Sequence, residues 1–182
     1  MLPSRFFNFT KIMRSSHQDA ELRYSKLRNT AIEIAQNLVT SGIRLTTITP
    51  VALTAAKKWN NSASRLVDWD WQAGFADFSF RHPKRFDLAV WEGAELISLS
   101  MGRPTYEGTH LRLDFAEARP REIGPRIQVF AELLLTYTIY ARLLNAKEVR
   151  IMHPLNEKLR ESYRAFGYTY IDKGDYLFKE IR

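Results

Sequence analysis

The chain contains no cysteine, which excludes disulfides, zinc–thiolate centres and a thiol nucleophile. It has no apolar run long enough to span a bilayer. Its opening residues, MLPSRFFNFTKIMRSS, are basic but lack the continuous apolar stretch of a secretion signal. The histidines His17, His82, His110 and His153 share no metal-ligand spacing, so no metal is expected. No serine sits in a nucleophile motif, and there is no internal repeat, low-complexity tract or obvious linker. These absences lead to the expectation of a cytoplasmic, metal-free protein with no membrane association.

Acidic side chains are in short supply as well, with 20 Asp and Glu against 27 Lys and Arg, for a net charge of +7. The imbalance is concentrated in residues 1–45, where Arg5, Lys11, Arg14, Arg23, Lys26, Arg28 and Arg44 face only Asp19, Glu21 and Glu33. Such a bias suits a polyanionic partner, a nucleic acid or an anionic cofactor, and equally suits a well-solvated basic face. At 182 residues, 45% hydrophobic and 26% charged, the chain has the composition of a folded protein with one substantial core.

Residues 18–41 read as a long helix, with Tyr24, Leu27, Ala31, Ile34 and Leu38 on one stripe. Ser16 or Asp19 is placed to cap its start, and Gly42 follows its end. RLTTIT (44–49) is a short β-branched strand, and Pro50 opens a second helix running to about Lys58. The next segment carries Trp69, Trp71, Phe75, Phe78 and Phe80 and has no clean assignment; it suits a loop with a helical turn walling a pocket, or core. RFDLAVWEG and AELISLSMG, turning at Glu92-Gly93, and then HLRLDFAEA form an antiparallel meander. PREIGPR is a loop, with Pro125 at the first position of a mostly buried helix of about five turns through residue 146. A strand (KEVRIMH), a helix (LNEKLRESYRAF) and two strands around Lys173-Gly174 close the chain, and a strand, helix, strand order is a crossover whose flanking strands are expected to be parallel.

This order resembles the GNAT superfamily of N-acetyltransferases. Asn156, Tyr163, Gly167 and Tyr168 fall at the spacing of that family's Asn, six residues, Tyr, three residues, Gly-Phe pattern. LLLTYTIYARLLNAKEVRI resembles its long helix entering the next strand, and the likeness covers roughly residues 85–182. The resemblance implies an α/β (α+β) fold, with an antiparallel meander, parallel central strands that splay apart, and here an extra N-terminal helix. Residues 1–43 are then a helical extension and 44–182 the acyltransferase domain.

It also implies acetyl-CoA in the cleft between the splayed strands, its pyrophosphate on the amides opening the long helix. The family's loop of Arg or Gln, two residues, Gly, one residue, Gly or Ala is met here by Arg121 and Gly124. The last position is Arg126, and Pro125 removes an amide. Arg126 is suited to hold a phosphate through its side chain; the alternative is a site that has been lost or repurposed. Tyr163 is the implied general acid for the departing thiolate, against a plain packing role. Glu117 near the end of the third meander strand is the implied base, with Asp114 its competitor on the opposite face unless a bulge intervenes. An amide around Ala116 to Ala118 is expected to polarise the thioester oxygen. Asn156 either holds the pantetheine or caps its helix, or does both.

The expected function is direct, acetyl-CoA-dependent N-acetylation of a primary amine; the acceptor is a small amine, a protein amino group or an aminoacyl group on RNA, and the basic N-terminal region favours one that is RNA-linked or otherwise anionic. The alternatives are an inactive GNAT-fold module contacting nucleic acid or protein, and transfer of another group to a nucleic-acid base. A homodimer is compatible with all three.

Overall fold

The computed structural model describes residues 5–124 and 129–181, with side chains from Ser16 onward within those spans. Helices α1 (Arg5–Gln36), α2 (Pro50–Ala56) and α3 (Trp71–Arg81) alternate with strand β1 (Ile43–Thr46) and precede β2 (Phe86–Glu92), β3 (Glu95–Pro104) and β4 (His110–Ala118). There follow α4 (Phe130–Leu143), β5 (Glu148–Met152), α5 (Glu157–Arg164), β6 (Thr169–Ile171) and β7 (Tyr176–Glu180). The sheet has seven strands in the order β1-β2-β3-β4-β5-β7-β6. Among the described residues only β4 and β5 pair in parallel.

Two apolar clusters flank the sheet. One joins α1, α4 and Tyr163 of α5 to Phe86, Leu88 and Val90; the other joins α2 and α3 to Ala89, Trp91 and Leu99. Burial on both sides explains why β2 reads as an almost unbroken apolar run. The aromatic segment left unassigned from sequence becomes α3, capped by Asp70, whose carboxylate accepts from the amides of Gln72 and Ala73.

Several elements differ from the sequence reading. Helix α1 begins well before Ser16 and Asp19, so neither caps it, and it ends at Gln36. Its buried positions among the described side chains are Arg28, Ala31, Ile32 and Ala35, whereas Ile34 and Leu38 are 40% and 63% exposed. Periodicity favoured the large aliphatics, but the small alanines let α1 pack against α4, and Arg28 is drawn inward by charge. Arg28 donates to the carbonyls of Pro83 and Arg85, pairs with Glu21, and lies 3.7 Å from Asp87. Arg85 completes the network with Glu21 at 2.8 Å and Asp87 at 3.1 Å. Arg28 is therefore unavailable to a polyanion, and α1 shares a core with residues far along the chain. The β2–β3 turn is Gly93-Ala94, one residue beyond Glu92-Gly93, because Glu92 still pairs with Glu95. The first strand is shorter than expected, and α4 occupies 14 residues; Pro125 lies outside the described residues.

Two irregularities shape the centre of the sheet. Met101 pairs with Phe115 and Gly102 with Leu113, leaving Asp114 as the extra residue of a bulge. Leu111 and Leu113 join the α4 side, but Phe115 then packs against Trp69 and Phe78 on the α3 side. The regular Leu-Leu-Phe alternation therefore breaks at the bulge. A Cβ on Gly102 would lie 1.9 Å from the Arg112 carbonyl oxygen. Gly102→Ala is expected to destabilise the fold by about 3 kcal/mol through this backbone collision, measured by urea unfolding. In addition, β4 and β5 pair only from His110↔Glu148 to Leu113↔Ile151, while β4 continues to Ala118 and β5 ends at Met152. The strands part at their carboxyl ends, where open α/β sheets hold ligands.

Candidate active site

The gap between β4 and β5 opens into two cavities. A cleft of about 700 Å³ is lined by Ala116, Glu117, Ala118, Arg121, Asn156 and Tyr163, all singled out from sequence. A second cavity of about 480 Å³ has walls from α3, β3 and β4. Ala116, Leu155, Leu159 and Tyr163 line both, so Tyr163 stands at their junction.

The motif that begins at Asn156 has a local physical explanation. Asn156 caps α5, its Oδ1 accepting from the Leu159 amide at 3.0 Å. Tyr163 lies two turns on, at 5% exposure, with its ring edge-on to Phe130 at 5.1 Å and to Tyr168 at 6.3 Å. The chain turns away at Gly167 (φ 85°), and Tyr168 returns into the core. Burial raises the Tyr163 phenol well above its ordinary pKa.

Glu117 is engaged differently from the expectation. Arg65 donates to both of its oxygens, Nε to Oε1 at 2.6 Å and Nη2 to Oε2 at 3.0 Å, and Trp71 Nε1 donates to Oε2 at 2.6 Å. Arg65 also donates to the Trp69 carbonyl at 2.6 Å. Glu117 thus ties the approach to α3 onto β4. Asp114 instead lines the second cavity, accepting from Arg112 at 2.6 Å.

Of the expected phosphate-loop residues, Arg121 lines the first cleft and Gly124 does not; Arg126 lies outside the described residues. Gly124 sits over the Arg119 guanidinium, whose Cζ would be 2.6 Å from an added Cβ, so a side chain there would displace Arg119. Arg119, Lys158 and Arg65 line the same cleft and were not foreseen, since none falls in a recognisable pattern. The second cavity was not foreseen as a site either. Its His82 has an imidazole pKa lowered mainly by desolvation and further by Arg103 and Arg81, which keeps it neutral at pH 7.

No family model matches the sequence, and no curated protein does. Solved structures match the fold. A GNAT-family acetyltransferase from Staphylococcus aureus superposes with a TM-score of 0.60 at 9% identity, covering 77% of this chain and 99% of that one. Ard1 from Thermoplasma volcanium gives 0.58 at 14% identity, over 78% and 99%. Spermidine N-acetyltransferase from Vibrio cholerae, solved with CoA and spermine, gives 0.57 at 13% identity, over 78% and 97%. The meander, the single parallel pair that parts beyond Leu113 and these likenesses establish that the chain has the fold of the GNAT-family N-acetyltransferases.

Proposed function

We propose that the protein transfers an acetyl group directly from acetyl-CoA to a primary amine. The observation that carries this reading is the pair of cavities meeting at Tyr163, which gives donor and acceptor separate entrances to one point. Direct transfer also needs no enzyme nucleophile, in keeping with a chain that has no cysteine.

The first cleft suits acetyl-CoA. Arg119, Arg121 and Lys158 supply positive charge for phosphates, and Val129, Phe130, Leu133 and Leu155 supply apolar wall. Helix α4 opens on this cleft, and its N-cap Val129 contributes no side-chain cap, so its first amides favour an anion. Asn156 and the strand around Ala116 and Ala118 are assigned to the pantetheine arm and the thioester. When bound, acetyl-CoA supplies the activated acetyl group. The Tyr163 hydroxyl is the proton donor for the departing thiolate. Asp114 and the neutral His82 imidazole are the available bases for the ammonium proton, and Glu117 is assigned a positioning role. The acceptor is assigned as anionic. Among the described residues no helix is long and apolar enough to cross a membrane.

The test is a thermal-shift titration with acetyl-CoA, followed by thiol release on adding primary amines. Saturation at about 100 times Kd stabilises the native state by about 2.7 kcal/mol, raising Tm by roughly 5–10 °C for a chain of this size. Absence of any shift at millimolar acetyl-CoA would reject the reading in favour of a non-catalytic binding module.

A further inference from the structure

We propose that the second cavity is an anion-binding acceptor subsite formed by Arg81, Arg103 and Arg112, and that the amine it admits carries a carboxylate or phosphate on the same small molecule. The inference rests on the acetyl-transfer reading above and specifies its acceptor.

The charge inside the cavity is one-sided. Three guanidinium groups line it, and Asp114 is the one carboxylate among its described lining residues. Arg103 and Arg112 are cross-strand partners on β3 and β4, so their side chains leave the sheet side by side. Both converge on Asp114, Arg112 Nη2 at 2.6 Å and Arg103 Nε at 3.6 Å, leaving two cations to share one anion. Arg112 Nε is buried and has no hydrogen-bond acceptor among the described residues. Among the described residues Arg81 pairs with Asp77 on α3, where both side chains are more than half exposed, and such a pair is readily exchanged for a ligand. His153 at the rim pairs with Asp175 at 3.2 Å, and the His82 ring adds no charge at pH 7. The cavity therefore keeps a positive excess whichever internal pairs persist.

Guanidinium forks recognise planar carboxylates and phosphates through paired N–H donors. Trp69, Phe78 and Phe115 form an apolar wall in the same cavity, which limits the acceptor to a short molecule with an apolar spacer. Asp114, held between Arg103 and Arg112, offers a carboxylate to the acceptor ammonium. A polycation meets the opposite situation, because a second or third ammonium would face arginine with no further carboxylate. This separates the acceptor from the spermine present in the Vibrio cholerae structure.

The test compares matched amines on the full chain, following CoA thiol release: 4-aminobutyrate against butylamine, phosphoethanolamine against ethanolamine, and spermidine. The anionic member of at least one pair is expected to exceed its neutral partner in kcat/KM by about 10-fold to 10²-fold, the scale of a charge-assisted hydrogen bond. Which pair responds identifies carboxylate or phosphate. In Arg103→Gln the ratio should fall toward one, and in Arg103→Lys it should be partly retained; Arg103 is half-exposed, so both variants are expected to fold. Preference for neutral amines or spermidine, or a ratio unchanged in Arg103→Gln, overturns the anion subsite. If acetyl-CoA still raises the melting temperature in that case, the acetyl-transfer reading stands alone. If acetyl-CoA does not bind, both fail together.

Discussion

Tyr163→Phe is expected to lower kcat by about 10²-fold or more, the usual worth of a positioned proton donor, while Tm changes little. The ring keeps its contacts with Phe130 and Tyr168, and only the hydroxyl of a residue that lines both cavities is lost. KM for acetyl-CoA should remain close to the wild-type value, because the missing interaction is made chiefly in the transition state. The pH dependence provides an independent check. Burial keeps the phenol protonated beyond the ordinary tyrosine range, so its ionisation produces no fall in activity near pH 10. Such a fall would instead reflect unfolding. Above the unfolded-chain value, the unfolded tyrosines release protons that buried Tyr137, Tyr140, Tyr163 and Tyr168 retain, so stability declines as pH rises. A Phe variant with undiminished kcat would reduce Tyr163 to a packing residue.

Arg65→Ala is expected to cost about 3–5 kcal/mol, because it leaves a buried carboxylate without its charge partner. For a chain of this size that lowers Tm by on the order of 10 °C, measurable by calorimetry. The pair is 7% and 5% exposed at the side chains, and after the substitution Trp71 alone among the described side chains would remain bonded to Glu117. The same variant frees the Trp69 carbonyl and loosens the segment leading into α3. Glu117→Gln separates the two roles considered for this residue. As a positioning group it should lose stability together with activity, since an amide cannot accept on both positions from Arg65 and Trp71. Activity abolished at temperatures where the variant is still fully folded would return the proton-accepting role to Glu117.

The parts of the fold that were legible in sequence are those specified locally. Strand alternation and turn residues located the meander, and apolar character on nearly every side identified α4 as buried. The site was legible where one helix carries it: a cap at Asn156, a phenol two turns later and a terminating glycine are all encoded within thirteen residues. The same reasoning missed features that depend on distant partners. Arg65 meets Glu117 across 52 positions, and nothing near Arg65 marks it as buried. The face of α1 was misplaced because Asp87 draws in an arginine that periodicity assigned to solvent. The bulge at Asp114 is set by pairing with β3, and only that pairing reveals that Glu117 turns toward Trp71 and Arg65. The second cavity draws residues from five separate segments, none distinctive alone.

The outer border of the sheet at β1 carries a consequence for assembly. The Gln36 carboxamide donates to the Ile43 carbonyl at 2.8 Å and accepts from the Leu45 amide at 2.7 Å, as a neighbouring peptide would. The Ile43 amide is already bonded to Thr40. A single side chain thus imitates the next strand, and a second copy arriving edge-on finds those groups occupied. A strand added at this border would have to displace Gln36 from Ile43 and Leu45 before it could extend the ladder.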